Sequence, residues 1–244
     1  MSEQQPPDRQ PALRAPAATV WLIGLLVAAH VARVLAPQRM TGEILWNYGF
    51  IPARYSNTWL VLHRANPGSW FDQAVPFVSY MFVHADFGHL AVNSIWLLAF
   101  GSIVARRLGA RIFFALFFIC GIAGAATHLA FNWGSAVPTV GASGAIAGLM
   151  AVAFRLIPLE PFGEGQLPLA PLFSRRIITW TAVWVAVNVI AGVTGLGAGL
   201  EIRLIAWQAH LGGYFAGLML AGPAVALHLR AQARGLNSPS ESID

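Results

Sequence analysis

The chain has 244 residues, of which 57% are hydrophobic and only 10% charged, against about 25% charged in soluble domains. That composition excludes a soluble domain, and the shortage of charge equally excludes a disordered chain. The net charge of +5 comes from 15 basic residues, all arginine, spread between apolar blocks, so no nucleic-acid partner is expected, and the single cysteine, Cys120, excludes a disulfide framework or a paired-cysteine zinc site.

In chain order, six segments have or approach the roughly 20 apolar residues that a bilayer-crossing helix needs. They run from Ala17 to Ala36, from about Gly88 to Val104, from Arg111 to Phe131, from Ser143 to Ile157 (a short one), from Ile177 to Leu196 and from Arg203 to Leu229. Every backbone amide in lipid needs an internal partner, so these are predicted helices of an all-α integral membrane bundle. Arg9 and Arg14 precede the first segment as they would in a signal peptide. Its length and the spans after it favour a membrane helix. Residues 1–16 and 232–244 are rich in Pro, Gln and Ser and read as flexible cytoplasmic tails. Residues 17–231 form the membrane domain.

With the N-terminus inside, the inner segments hold Arg9, Arg14, Arg106, Arg107, Arg111, Arg155, Arg175, Arg176, Arg230 and Arg234, and the outer ones Arg39, Arg54, Arg64 and Arg203. This bias puts both termini in the cytoplasm. The all-Arg, Ala- and Gly-rich usage suggests a bacterial inner membrane. Between the first two spans, Pro37 to Val83 is too long for a simple connector. It carries Trp46, Tyr48, Trp59, Trp70, Phe71 and further aromatics. Such residues favour the headgroup region, so this loop is expected to lie half sunk in the outer leaflet. A water-exposed folded loop is the plainer alternative.

Polar groups at membrane depth are costly and point to function. Three clusters occur. His84, His89 and Asn93 stand at the outer end of the second span, with His89 and Asn93 four apart on one helix face. Gly141-Ala-Ser143-Gly144 opens the short fourth span, where free amides and the helix dipole favour an oxyanion. The bland reading of Ser143 is an N-cap. His210 on the sixth span precedes Gly213 and Gly217, a GxxxG groove. Gly144 and Gly148 offer a matching groove on span four, and two such grooves bring Ser143 within reach of His210. The bland reading of all three clusters is polar glue and close packing. Together they supply a nucleophile, a base and oxyanion donors, the parts of acyl transfer. No Asp or Glu lies within a span, so the expected arrangement is a Ser-His dyad without a carboxylate.

The ordered set His84-x4-His89-x3-Asn93, Gly141-x-Ser143-Gly144 and His210 followed by Gly213-x3-Gly217 resembles the rhomboid family of intramembrane serine proteases over about residues 17–230. The resemblance implies a six-transmembrane-helix bundle with a short fourth helix starting below the membrane surface. It implies Ser143 as nucleophile and His210 as general base and acid. His89, Asn93 and the Ser143 amide would hold the oxyanion, with His84 supporting them. It implies transmembrane protein substrates cleaved near the outer face, without metal or cofactor. Two departures stand out. Many relatives carry an aromatic residue four positions after the serine, against the histidine. Here it is Ala147, so His210 is held some other way or less firmly. Many also carry a Trp-Arg pair in the first loop, and this chain does not.

Two other readings compete. One is a rhomboid-like protein without activity that binds transmembrane helices. The other is a haem or metal protein using His84, His89, His128 and His210, which lacks paired spacing and acidic ligands. His30, His128 and His228 read as packing residues, and Cys120 as a small apolar core residue.

Overall fold

A computed structural model describes residues 15–157, 169–195 and 206–236. Arg9, Arg14, Leu196, Glu201, Arg203 and, of the expected tails over 1–16 and 232–244, residues 1–14 and 237–244 lie outside the described residues. Among the described residues the chain is helical, with one isolated antiparallel bridge between Phe50 and Thr139.

The first helix, α1 (Ala17–Leu35), buries Thr19, Leu22, Leu26 and His30. Their spacing of three and four residues puts them on one face. The remaining faces show Trp21, Leu25, Val31 and Val34 to the surroundings. A soluble protein does not leave such continuous apolar area uncovered.

The long first loop folds into short helices: α2 (Thr41–Tyr48), α3 (Asn57–His63), α4 (Trp70–Ala74) and α5 (Pro76–Ser79). Local caps hold them. Ser56 accepts from the amide of Trp59, and Ser69 with Asp72 closes a reciprocal capping box. The Ser69 hydrogen bonds hold the Asp72 carboxyl below its usual range. Arg54 organises the centre of the loop. Only 2% exposed, it donates to the carbonyls of Trp46, Pro67 and Asp72 and lies 5.3 Å from the Trp46 ring centre. A Trp-Arg pair absent as a sequence neighbour is therefore assembled in space. Tyr55 donates to the Gln73 carbonyl at 2.7 Å, and burial pushes its phenol up to about 12. Phe50 is buried against Tyr55, Phe77 and Tyr80.

The loop is also tied to the segment that leads into the fourth predicted span. The amides and carbonyls of Phe50 and Thr139 exchange bonds at 2.9 and 2.8 Å, and Ala53 donates to Ser135 at 2.9 Å.

The second and third predicted spans depart from expectation. Helix α6 (Phe87–Trp96) passes through a π turn (Leu97–Gly101) into α7 (Ser102–Phe131). The expected connector between Val104 and Arg111 is itself largely helical. The direction changes at Gly109, whose φ of 81° interrupts α7 in a region open to glycine. The break therefore falls within the connector expected between Val104 and Arg111, just beyond the Arg106-Arg107 pair.

Helix α8 (Ser143–Leu156) is the axis of the molecule. Every residue from Gly144 to Ala153 is buried, and it packs against α7 and α10 (Trp207–Leu236). Its C-terminal end is held by arginines. Arg155 donates to the carbonyls of Ala170 and Leu218, and Arg176 to those of Phe154 and Ile157. Cations at that end complement the helix dipole. Helix α9 (Arg175–Thr194) starts at a Ser174 cap and ends at Gly195 in the left-handed region. It exposes Ile178, Val183, Val187, Ile190 and Val193.

By length and composition, four helical stretches suffice to cross a membrane among the described residues: Ala17–Leu35, Phe87–Phe131, Arg175–Thr194 and Trp207–Arg234. Helix α8 is apolar but shorter. The outcome is an all-helical protein with several apolar helices and outward apolar faces, as the composition requires.

Candidate functional site

Small residues decide how closely α8 and α10 approach. A side-chain carbon added at Gly213 would run into the carbonyl of Gly144, and one added at Gly217 into the carbonyl of Gly148. The two grooves anticipated from sequence therefore meet, glycine on glycine, as the GxxxG pattern allows. Cys120 of α7 fills the third side at Gly148 and is fully buried, as a small apolar residue does.

That approach brings Ser143 and His210 together. His210 Nε2 lies 2.7 Å from Ser143 Oγ, across 67 residues of sequence. Ser143 is the first residue of α8, not its cap. The capping position is Ala142, whose side chain accepts nothing. The N-cap reading of Ser143 is thus replaced by a hydroxyl engaged with an imidazole. No side chain caps this end of α8, which leaves the first-turn amides to another acceptor. Both Ser143 and His210 are partly exposed.

Gly141 adopts φ 113°. Its amide donates to the Tyr80 carbonyl at 2.9 Å, and the Tyr80 hydroxyl donates to the Gly121 carbonyl at 2.8 Å. An added side-chain carbon at Gly141 would sit 2.6 Å from the His89 ring and 3.6 Å from Asn93 Nδ2. His89 and Asn93 therefore lie against the residue two before Ser143. Asp86 caps α6 by accepting from the His89 amide at 2.8 Å, which starts the helix so that His89 and Asn93 share its inner face. Asn93 is buried and uses one amide hydrogen on the His89 carbonyl at 3.1 Å. Its –NH2 group carries a second.

His84 is fully buried beside His89, with ring centres 5.3 Å apart. His30 packs 6.4 Å from His84 and 4.5 Å from Phe87, so this histidine of α1 backs the cluster. His128 has structural partners, Thr139 Oγ1 at 2.8 Å and Asn132 Nδ2 at 3.2 Å, and His228 faces the Leu108 carbonyl at 3.1 Å. Among the described residues no group of three or more His, Cys, Asp or Glu forms a metal-holding set.

One site residue escaped the sequence reading. Asn188 of α9 places Oδ1 2.9 Å from His210 Nδ1. A lone amide within an otherwise apolar span was the available signal. It lacked a motif partner in the sequence.

Comparison with known proteins bears on the whole arrangement. A family model described as the Rhomboid domain matches residues 72–226. The chain is 29% identical over 154 residues to "Rhomboid protease GluP" of Bacillus subtilis (strain 168), covering 63% of this chain and 26% of that protein. It is 28% identical over 149 residues to "Rhomboid protein 1, mitochondrial" of Saccharomyces cerevisiae, covering 59% and 40%. The match thus spans well under half the length of either relative.

Proposed function

Because the chain belongs to the rhomboid family of multi-pass membrane proteins, we propose that it is an intramembrane serine endopeptidase that cleaves transmembrane protein substrates near the outer face. The observation that carries this reading is the 2.7 Å approach of Ser143 Oγ to His210 Nε2 between two glycine-paired helices.

In the proposed reaction His210 Nε2 takes the Ser143 proton as Oγ attacks a peptide carbonyl. The resulting oxyanion lies at the N-terminus of α8, where the Ser143 amide, His89 and the second Asn93 N–H donate to it. Losing one such donor typically costs about 2.7–4 kcal/mol of transition-state stabilisation. His210 then returns the proton to the leaving amine. Water, activated by the same imidazole, attacks the acyl-enzyme and restores the serine. His84 supports His89, while Gly141, Gly144, Gly213 and Gly217 permit the close approaches.

The same reading counts six spans, taking Phe87–Phe131 as two helices divided at Gly109 and α8 as the short one. Helix α8 has 14 residues, and at about 1.5 Å per residue it falls short of the roughly 30 Å apolar layer. With Arg155 and Arg176 at its inner end, Ser143 sits below the outer surface. The first loop covers that side at headgroup depth. Both termini are cytoplasmic and the membrane is the bacterial inner one.

The test is cleavage of a model transmembrane substrate, read beside fluorophosphonate labelling of the protein in native membranes. Wild type is expected to cleave and label. Ser143→Ala and His210→Ala are expected to lose cleavage by at least about 10^3-fold while remaining folded. Undiminished cleavage by either variant refutes the assignment. A folded wild type that neither cleaves nor labels would instead identify a helix-binding member without activity.

A further inference from the structure

We propose that Asn188 is a positioning residue for His210, holding the imidazole in the tautomer and orientation that let Nε2 accept the Ser143 proton. The inference rests on the serine-protease reading above and extends it to α9, a helix that none of the sequence motifs involves.

The hydrogen bonds form a directional chain. Asn188 Nδ2 donates to the Trp184 carbonyl at 2.9 Å. A carbonyl oxygen only accepts, so the amide nitrogen must face Trp184 and Oδ1 must face His210, 2.9 Å from Nδ1. Oδ1 also only accepts. Nδ1 must therefore carry the ring proton, which leaves Nε2 as a lone pair opposite the Ser143 hydroxyl 2.7 Å away. The order of donation is Ser143 to His210 to Asn188, with Asn188 anchored on Trp184. The opposite tautomer would place a proton on Nε2 and prevent it from acting as base. An amide in this role is chemically sufficient, since a neutral acceptor at Nδ1 fixes tautomer and ring plane without a carboxylate.

The register of α9 on α10 holds the amide there. Thr181, Trp184, Asn188 and Gly192 recur every three or four residues and share one face. Thr181 Oγ1 lies 2.8 Å from the Tyr214 hydroxyl, and the Trp184 ring stacks on Tyr214 with centres 4.3 Å apart. At the other end, a side chain at Gly192 would collide with the Trp207 ring. Asn188 sits between these two fixed points, opposite His210. Ala147, the small residue on α8, supplies no ring plane for the imidazole, so a hydrogen bond from the opposite helix takes on the orienting task.

The test uses the purified full chain in detergent with a model transmembrane substrate. Asn188→Ala is expected to lower kcat about tenfold, the scale of one lost hydrogen bond, and to leave KM within about twofold. It should slow fluorophosphonate labelling of Ser143 in parallel. Asn188→Asp, which keeps an acceptor oxygen at the same place, is expected to restore most of kcat. Wild-type kcat in Asn188→Ala overturns the proposal. So does an equal loss in both variants, which assigns Asn188 to helix packing alone. A second readout needs no variant to fold. In wild-type protein with 15N-labelled histidine, the His210 signals should report a proton on Nδ1, and a proton on Nε2 instead overturns the proposal. If Asn188→Ala is unimpaired while His210→Ala is dead, the protease reading stands without this inference. If wild type itself neither labels nor cleaves, both fall together.

Discussion

Gly141 shows how one residue can shape a reaction centre without touching the chemistry. Its φ of 113° lies where a side chain is strained, typically by about 1–3 kcal/mol. The space its missing side chain leaves is taken by the His89 ring. Gly141→Ala therefore faces two penalties, a strained backbone and a displaced His89 ring, the proposed oxyanion donor. It is expected to lower kcat/KM by at least about tenfold and the unfolding free energy by about 1–3 kcal/mol, read from cleavage kinetics and thermal unfolding in detergent. Ser143 is a related case. Its neighbour Ala142 makes no side-chain cap bond to α8, and in the proposed reaction the first-turn amides serve the developing negative charge. Had Ser143 itself been the cap, its hydroxyl would have been turned into its own helix and away from His210.

Helices α8 and α10 carry these residues, and their separation sets the Ser143–His210 distance. That separation is governed by backbone contacts at Gly144, Gly148, Gly213 and Gly217. Gly213→Ala would drive a methyl group into the Gly144 carbonyl and force the helices apart. Overpacking of this kind costs about 1–3 kcal/mol, and cleavage should fall further than stability does, because Ser143 and His210 sit on opposite sides of the seam. Gly24→Ala in α1 meets no atom within 4 Å and should retain wild-type cleavage and melting temperature. Equal behaviour of the two variants would show that the α8–α10 seam does not control the site. The two ends of α8 also differ in purpose. The C-terminal end is neutralised by Arg155 and Arg176, while the N-terminal end keeps the positive pole of its dipole uncapped by a side chain, as the proposed reaction requires.

For the molecule as a whole, outward apolar residues on α1 and α9 require a lipid surround. The protein should stay with membranes after alkaline carbonate extraction. By the arginine bias, reporters fused to either end should read out in the cytoplasm. A reporter at the C-terminus that is active on the outer side would reverse the proposed orientation and put Ser143 on the wrong face. The first loop completes the architecture by pairing Phe50 with Thr139 and Ala53 with Ser135, which pins it to the strand of chain leading into Ser143.

Apolar length and polar exceptions were readable along the chain because both are local properties. A run of some 20 apolar residues states its solvent, and a serine or histidine within it stands out. The helices, the glycine grooves and the roles expected of Ser143, His210, His89 and Asn93 followed from such patterns and from their family resemblance. Three features depended on the folded chain. The arginines at 106, 107 and 111 mark where the second and third spans part, but only the backbone angle at Gly109 fixes the residue at which the chain turns. Arg54 finds Trp46 across a loop, although no adjacent pair encodes the contact. Asn188 acquires meaning only when α9 is laid against α10 in one register, 22 residues from His210. Sequence spacing reports which side chains share a helix face. It carries no information on which face of a different helix will lie opposite, because that is settled by the packing of the whole bundle.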